Sequence, residues 1–281
     1  MEKGKLYICP TPIGNLEDIT LRVLRILREV DYIAAEDTRQ TIKLLNHFEI
    51  NKNLTSYHEH NKMKKGQGIL EDLMEGKQVA LVSDAGMPGI SDPGEELIKD
   101  CIEHHIEVEV LPGATAAILA LVASGLNASQ FSFEGFLSRD KKKRRERLER
   151  IKTEDRTLIF YEAPHRLKDT LEDCIKILGK RRAVVGRELT KRFEEFIRGE
   201  LQEVLAHFEE IPPKGEIVLM IEGISQEEYE ALEKQEYQDL SIKDHVVQLL
   251  NSGMDKKEAI KEVSKIRKIP KREVYQEAID L

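Results

Sequence analysis

Short apolar runs that alternate with helix-period segments constrain this chain more than any other feature. Leu6-Tyr7-Ile8-Cys9, Asp31-Tyr32-Ile33-Ala34-Ala35, Val79-Ala80-Leu81-Val82 and Val108-Glu109-Val110-Leu111 all have strand length. Between the first two, Ile19 to Val30 places Leu21, Leu24 and Leu27 with Ile26 and Val30 on one face of a helix. Further helices are expected from about Pro93, and directly after Pro112-Gly113. Strands that alternate with helices predict, over residues 5–123, a mostly parallel sheet covered on both faces.

A chain of 281 residues exceeds the usual size of one core, so more than one unit is expected. Ser124 to Gln130 reads as a hinge, after which strands recur near Phe131–Phe133, Thr157–Tyr161, Ala183–Gly186 and Ile217–Ile221. The fold class expected is α/β with two domains, residues 1–123 and 128–223, followed by a helical extension over 226–281. Gln226 to Asp239 carries six acidic residues and one Lys, and reads as a solvated helical linker. Beyond it, Val246, Val247, Leu249 and Leu250, then Ala259, Ile260 and Val263, then Val274 and Ala278 predict three short amphipathic helices. Gly253 and Pro270 punctuate this helix-turn-helix-like tail.

A formal charge of −8 argues against a surface that binds nucleic acid everywhere, but leaves room for a local basic patch. Residues 139–150 supply one, with eight basic and three acidic side chains that include Lys141, Lys142, Lys143, Arg144 and Arg145. The same run would also serve as a solvated helix face; on an acidic protein its density fits phosphate contact. Residues 255–273 add eight basic and four acidic residues to that surface. Cys9, Cys101 and Cys174 are too few and too widely spaced for a zinc site or a disulfide framework. With no secretory leader and no apolar run of membrane-spanning length, a cytoplasmic protein is expected.

Ser83 to Gly94 (SDAGMPGISDPG) follows an apolar strand and leads into a helix. Ligands of open α/β sheets settle at the carboxyl ends of strands, and twelve residues this rich in Gly and Pro exceed what a turn needs. Asp84 and Asp92 can accept hydrogen bonds there, although a plain turn with Pro93 at the first helical position would use the same residues. Leu111 to Ala117 is a second sharp strand-to-helix transition whose exposed amides can hold an anion, although taken alone it reads better as tight helix-on-sheet packing. No nucleotide P-loop or dinucleotide fingerprint is present, which argues against an ATPase or an ordinary NAD enzyme. Three polar clusters, Glu36 to Arg39, Ser56 to Asn61 and Tyr161 to Arg166, close strands or lie between elements. Asp37 and Thr38 are also good helix caps. His58 with His60 has no accompanying set of ligands, so no metal is expected.

Eight segments, in order over residues 5–223, resemble the tetrapyrrole methylase superfamily: PTPIGNLEDIT (10–20), AEDTR (35–39), SDAGMPGISDPG (83–94), LPGAT (111–115), EGFL (134–137), YEAPHR (161–166), RELTK (187–191) and KGEIV (214–218). Within it the chain is similar to the small-subunit ribosomal RNA group that methylates a cytidine 2'-hydroxyl, and the tail resembles that group's helical extension. The resemblance implies S-adenosylmethionine bound in the cleft between the domains, and a homodimer. By motif, donor contacts would come from Pro12, Asp84, Gly86, Met87, Ala114 and Thr115, and from Ala163, Leu189, Gly215 and Glu216 of the second domain. Pro12-Ile13-Gly14-Asn15 replaces the Gly-rich first loop usual in the tetrapyrrole-modifying branch, which favours RNA.

A ribose hydroxyl needs a base to take its proton, and Glu36, Asp37, His58 and Glu59 are the candidates, with Arg39 or Arg166 orienting a phosphate. The partner expected is small-subunit RNA, free or in the assembled 30S subunit. Two other readings stay open here: a methylase of a tetrapyrrole or corrin precursor, and a non-catalytic RNA-binding assembly protein.

Overall fold

The computed structural model describes residues 3–236 and 240–281; Met1, Glu2 and the last three residues of the acidic segment, 237–239, lie outside them. Residues 5–124 form β1 (Lys5–Ile8), α1 (Leu21–Glu29), β2 (Tyr32–Ala35), α2 (Thr38–His47), β3 (Asn53–Ser56), α3 (Lys62–Met74), β4 (Val79–Val82), α4 (Glu95–Glu103), β5 (Glu107–Val110) and α5 (Ala116–Ser124). The strands make one parallel sheet in the order β3-β2-β4-β1-β5, as the alternation predicts. Central β4 is buried at every position, which is why its four residues are all apolar.

The face of α1 differs from expectation. Leu21 is 85% exposed, and Val23, Ile26, Leu27 and Val30 face the core. Thr20 caps the helix by accepting from the Val23 amide at 3.2 Å, and packing of Val23, Ile26, Leu27 and Val30 in one core cluster turns Leu21 outward. Likewise α4 starts at Glu95, two residues after Pro93, because Pro93 and Gly94 remain in the turn.

The second sheet holds β6 (Phe131–Phe136), β7 (Thr157–Glu162), β8 (Arg182–Arg187), β9 (Glu195–Glu200) and β10 (Ile217–Ile221) in the order β6-β7-β10-β8-β9. Only β6 and β7 pair in parallel. Edge strand β9 reads EFIRGE; its charged residues hide it from a search for apolar runs. Helices α6 (Lys141–Arg150), α7 (Leu167–Leu178) and α8 (Leu201–Glu210) bury Leu148, Leu171 and Phe208 against one face. The other face is covered by α5, whose Ala117, Ala120 and Leu121 cluster with Ile159, Val184 and Met220. The helix before the hinge therefore packs on the sheet after it.

The extension comprises α9 (Gln226–Glu236), α10 (Ile242–Asn251), α11 (Lys256–Arg267) and α12 (Lys271–Glu277). The last three close on a core of their own, Val246, Ala259, Ile260, Val263, Val274 and Ala278, in agreement with the amphipathic pattern. None of the described helices is long and apolar enough to cross a membrane.

One ion pair holds the basic helix in place. Arg144 is buried, with its Nε 2.8 Å from Asp173 Oδ2 on α7, and Arg145 Nε lies 2.7 Å from Oδ1. Burial works against ionisation of Asp173, but Arg145 and Arg144 outweigh it and hold the carboxyl below its usual range. Asp173→Ala leaves a buried guanidinium unpaired, so a loss of about 3–5 kcal/mol is expected in urea unfolding at pH 7. The native carboxyl titrates lower than the unfolded one, so this stabilisation is complete above about pH 4–5 and disappears as pH falls through the native value. The variant should accordingly lose the acid limb that Asp173 contributes.

Candidate functional site

The carboxyl ends of β2 and β4 set the first wall of the site. β4 ends at Val82, and Ser83 to Gly94 turn back across the sheet. Thr11 and Gly86 exchange both backbone hydrogen bonds at 2.9 and 3.0 Å, while the Thr11 hydroxyl donates to the Ser83 carbonyl at 3.1 Å. Gly86 sits at φ +82°, and an added Cβ would lie 3.2 Å from Ile13 Cγ2, so a side chain there is both strained and crowded. This bridge separates two cavities.

The larger cavity, about 370 Å³, lies in the cleft between the sheets. Gly86, Met87 and Thr115 line it from the first domain, and Ala163, Leu189, Gly215 and Glu216 from the second. Seven of the ten residues expected to touch the donor are thus brought together. Ala114 packs behind this wall in the apolar cluster, its carbonyl 3.5 Å from where a Gly86 Cβ would be. Pro12 and Asp84 are not on this cavity; they line a smaller one of about 220 Å³ on the other side of the bridge. The division falls along the chain: Thr11, Pro12, Ser83 and Asp84 line the smaller cavity, and Ala85, Gly86 and Met87 the larger.

Ile13, Ile90, Phe136 and Tyr161 also line the cavity; the sequence placed them in named segments without singling them out as donor contacts. Phe136 ends edge strand β6 opposite Tyr161 on β7, and their rings meet edge to face with centroids 5.6 Å apart. The Tyr161 hydroxyl accepts from the Ala117 amide at 3.3 Å, joining β7 to the start of α5. The walls are mostly apolar; their charged residues are Asp92, Glu162 and Glu216, and among the described residues no Lys or Arg lines the cavity. Such a cleft suits an amphipathic ligand with positive charge, and disfavours a polyphosphate. A sulfonium donor that also carries an adenosine fits both the size and the charge.

Gly14 closes the cleft from below. Its Cβ position would collide with Lys191 and lie 2.8 Å from both the Leu189 carbonyl and Thr190 Oγ1. Glu188 and Thr190 hold φ of +52° and +63°, costly for residues with a Cβ. Lys191 Nζ binds Glu188 at 2.9 Å and Glu216 at 3.0 Å, tying this loop to the second-domain wall.

The four proton-acceptor candidates are differently situated. In the strand order β2 lies between β3 and β4, so Glu36 and Asp37 stand between His58 and Asp84. Glu36 Oε2 accepts from the Asp84 amide at 3.3 Å, and Asp84 Oδ1 accepts from the Asp37 amide at 3.1 Å. Burial raises the Glu36 carboxyl, with Asp92, Asp84 and Asp37 adding to the rise against the Asp84 hydrogen bond. Asp92 and Asp84 are also raised by burial first. Asp37 is the opposite case: Arg39 holds it down to about 2, with Arg39 NH2 at 2.6 Å. Asp37 caps α2 through the Arg39 amide, as expected. Glu59 is paired with Lys62 at 2.9 Å. Asn61 Nδ2 lies 3.1 Å from His58 Nε2, and among the described residues the buried His58 Nδ1 has no partner.

The basic residues divide. Lys141, Lys142 and Lys143 are exposed on α6, and the first two line a shallow groove with Arg145. Arg39 has a side chain 86% exposed. Arg144 is corrected: its charge is consumed by Asp173 inside the domain. Arg166 is corrected as well, because its guanidinium donates to the Leu137 and Ser138 carbonyls at 2.7 and 3.1 Å and lies 3.4 Å from buried Glu162. It anchors the turn into α6 rather than facing solvent.

Residues 5–205 match the family model of the tetrapyrrole (corrin/porphyrin) methylases. The chain is 53% identical over 276 residues to "Ribosomal RNA small subunit methyltransferase I" of Halalkalibacterium halodurans, covering 98% of this chain and 94% of that one. It is 52% identical over 274 residues to the protein of the same name from Bacillus subtilis, with coverage of 98% and 94%. The Thermotoga maritima protein of that name matches at 51% over 220 residues, which is 78% of this chain and 99% of its own length. Among solved structures, diphthine synthase superposes with a TM-score of 0.60 at 14% identity, covering 78% of this chain and 90% of that one. Uroporphyrin-III C-methyl transferase from Thermus thermophilus, complexed with S-adenyl homocysteine, superposes with a TM-score of 0.56 at 18% identity, covering 78% and 97%.

Proposed function

This chain belongs to the tetrapyrrole (corrin/porphyrin) methylase family, and on that premise we propose that it transfers a methyl group from S-adenosylmethionine to a cytidine 2'-hydroxyl of small-subunit ribosomal RNA. The observation that carries the reading is the pairing of near-full-length identity above 50% to small-subunit methyltransferases with an interdomain cleft that no Lys or Arg among the described residues lines. Gly86, Met87 and Thr115 would hold the donor from one side, and Ala163, Leu189, Gly215 and Glu216 from the other. When bound, the donor supplies a methyl group made electrophilic by its positively charged sulfur. Apolar side chains from both domains would exclude water from the occupied cleft, and fixing the domains around it turns encounter into positioning.

The acceptor hydroxyl must shed its proton, and Glu36 is the base of this reading. Its carboxyl is raised, it accepts from the amide of Asp84, which lines one cavity, it feels the charge of Asp92, which lines the other, and no cation pairs with it among the described residues. Asp37 and Glu59 are weaker candidates because Arg39 and Lys62 neutralise them. Lys141, Lys142, Lys143, Arg145 and Arg39 would meet RNA phosphates. In this reading the enzyme works in the cytoplasm, on free RNA or the 30S subunit, as a homodimer. Ile118, Leu119 and Val122, left exposed on α5, support the last point.

The test is transfer of labelled methyl from S-adenosylmethionine to small ribosomal subunits from cells lacking this gene, followed by nucleoside analysis. A labelled 2'-O-methylcytidine is the expected product. If the donor binds by calorimetry yet neither subunits nor free ribosomal RNA receive label, the RNA assignment fails and a small-molecule methylase takes its place.

A further inference from the structure

The 220 Å³ cavity behind the Thr11–Gly86 bridge lies outside the cleft assigned to the donor, yet shares a wall with it. Residues 83 and 84 line one cavity and residues 85 to 87 the other, so occupants of the two would be neighbours. Pro12 and Leu16, from the loop after β1, and Leu44 of α2 supply apolar wall, and Leu16 is left 40% exposed. Two polar groups are offered with opposite sense. Asp84 is a carboxylate that only accepts, held in place by the Asp37 amide at 3.1 Å, and its residue is exposed to solvent. Gln40 is oriented by Lys43, whose Nζ donates to Gln40 Oε1 at 3.1 Å and so leaves the amide nitrogen to donate. Lys43 also lines the cavity and brings the only cation to it among the described residues.

Resting on the function proposed above, we propose that this cavity takes the base of the acceptor nucleotide, and that Asp84 and Gln40 select cytosine. A flat ring with apolar faces fits between Pro12, Leu16 and Leu44, whereas a tetrapyrrole macrocycle exceeds the space. The Watson–Crick edge of cytosine presents an amine donor beside ring and carbonyl acceptors, which matches a carboxylate beside an amide N–H. Uracil would set its O4 against the Asp84 carboxylate. Lys43 at the wall suits the phosphate of the same nucleotide. Asp84 also donates its backbone amide to Glu36, so the residue that reads the base adjoins the residue that takes the hydroxyl proton.

The experiment compares kcat/KM for methyl transfer to small subunits reconstituted with ribosomal RNA carrying C or U at the methylated position. The wild-type enzyme should prefer C by about five- to a hundredfold. Asp84→Asn should bring that ratio near one, while the Kd for S-adenosylhomocysteine changes by less than about twofold. Gln40→Leu, on an exposed helix position, should also reduce the preference and guards against misfolding of the first variant. An unchanged C/U ratio in both variants, or a loss of donor affinity in Asp84→Asn without a change in ratio, overturns the proposal. Equal transfer to C and U by the wild type also overturns it, with the methylation reading intact. Absence of transfer to either RNA overturns the methylation reading itself.

Discussion

Glu36→Gln should lower the single-turnover rate of methyl transfer by about a hundred- to ten-thousandfold, the range usual for removal of a positioned general base. The amide keeps the shape of the side chain and can still accept from the Asp84 backbone amide, so donor binding and folding should be little affected. The pH profile separates this role from a structural one. Burial, then the charges of Asp92, Asp84 and Asp37, raise the Glu36 carboxyl above its ordinary value. A base works deprotonated, so the rate should rise with pH through that raised value and fall off below it. The acid limb should therefore lie higher than for an ordinary glutamate, and should vanish in Glu36→Gln. Asp37→Asn cannot produce the same limb, since Arg39 keeps Asp37 ionised down to about pH 2. A Glu36→Gln enzyme with normal rate and an intact limb would remove Glu36 from the mechanism.

The second large effect is expected from a single methyl group at Gly14. Here the first-domain loop touches the second domain, and an added Cβ falls 2.8 Å from the Leu189 carbonyl and from Thr190 Oγ1. Lys191 can swing aside, but the backbone cannot easily give. Glu188 and Thr190 already sit in left-handed conformations, and the Thr190 hydroxyl is buried with no hydrogen-bond partner among the described residues. Overpacking of this kind typically costs about 1–3 kcal/mol. Placed at the closure of the cleft, that cost should weaken S-adenosylhomocysteine binding by about five- to a hundredfold in calorimetry. The core of each domain is untouched, so urea unfolding should change far less than the affinity. Unaltered donor affinity in Gly14→Ala would mean that closure of the two sheets does not build the pocket.

Much of the architecture was legible. The run Val79 to Val82 announced a strand buried on both faces, and the Gly- and Pro-rich loop after it marked the edge that lines the cleft. Val246, Ala259, Val263, Val274 and Ala278 were recognisable as the core of the tail from spacing alone. Leu21 misled because a helical stripe can be drawn from either neighbouring register, and only packing against the first sheet chooses between them. The all-apolar α5 gave no hint of its partner, since AAILALVAS has no polar face to orient it. Arg144 and Arg166 looked like members of a phosphate patch because charge run length says nothing about a distant carboxylate or carbonyl.

What the sequence by itself determined is therefore everything carried by local periodicity: strand and helix identity, the parallel first sheet, the position of the ligand loop, and the small core of the extension. Side-chain burial repeats with the period of the element that bears it, so these features are written within a few residues of one another. Only the tertiary structure decided that α5 covers the second sheet and that Asp173 withdraws Arg144 from the surface. It alone put Asp84 and Gly86 on different cavities, and gave Glu36 three acidic neighbours while Asp37 received a cation. These are matters of electrostatics and packing between groups far apart in sequence, and their energies depend on distance and desolvation in three dimensions.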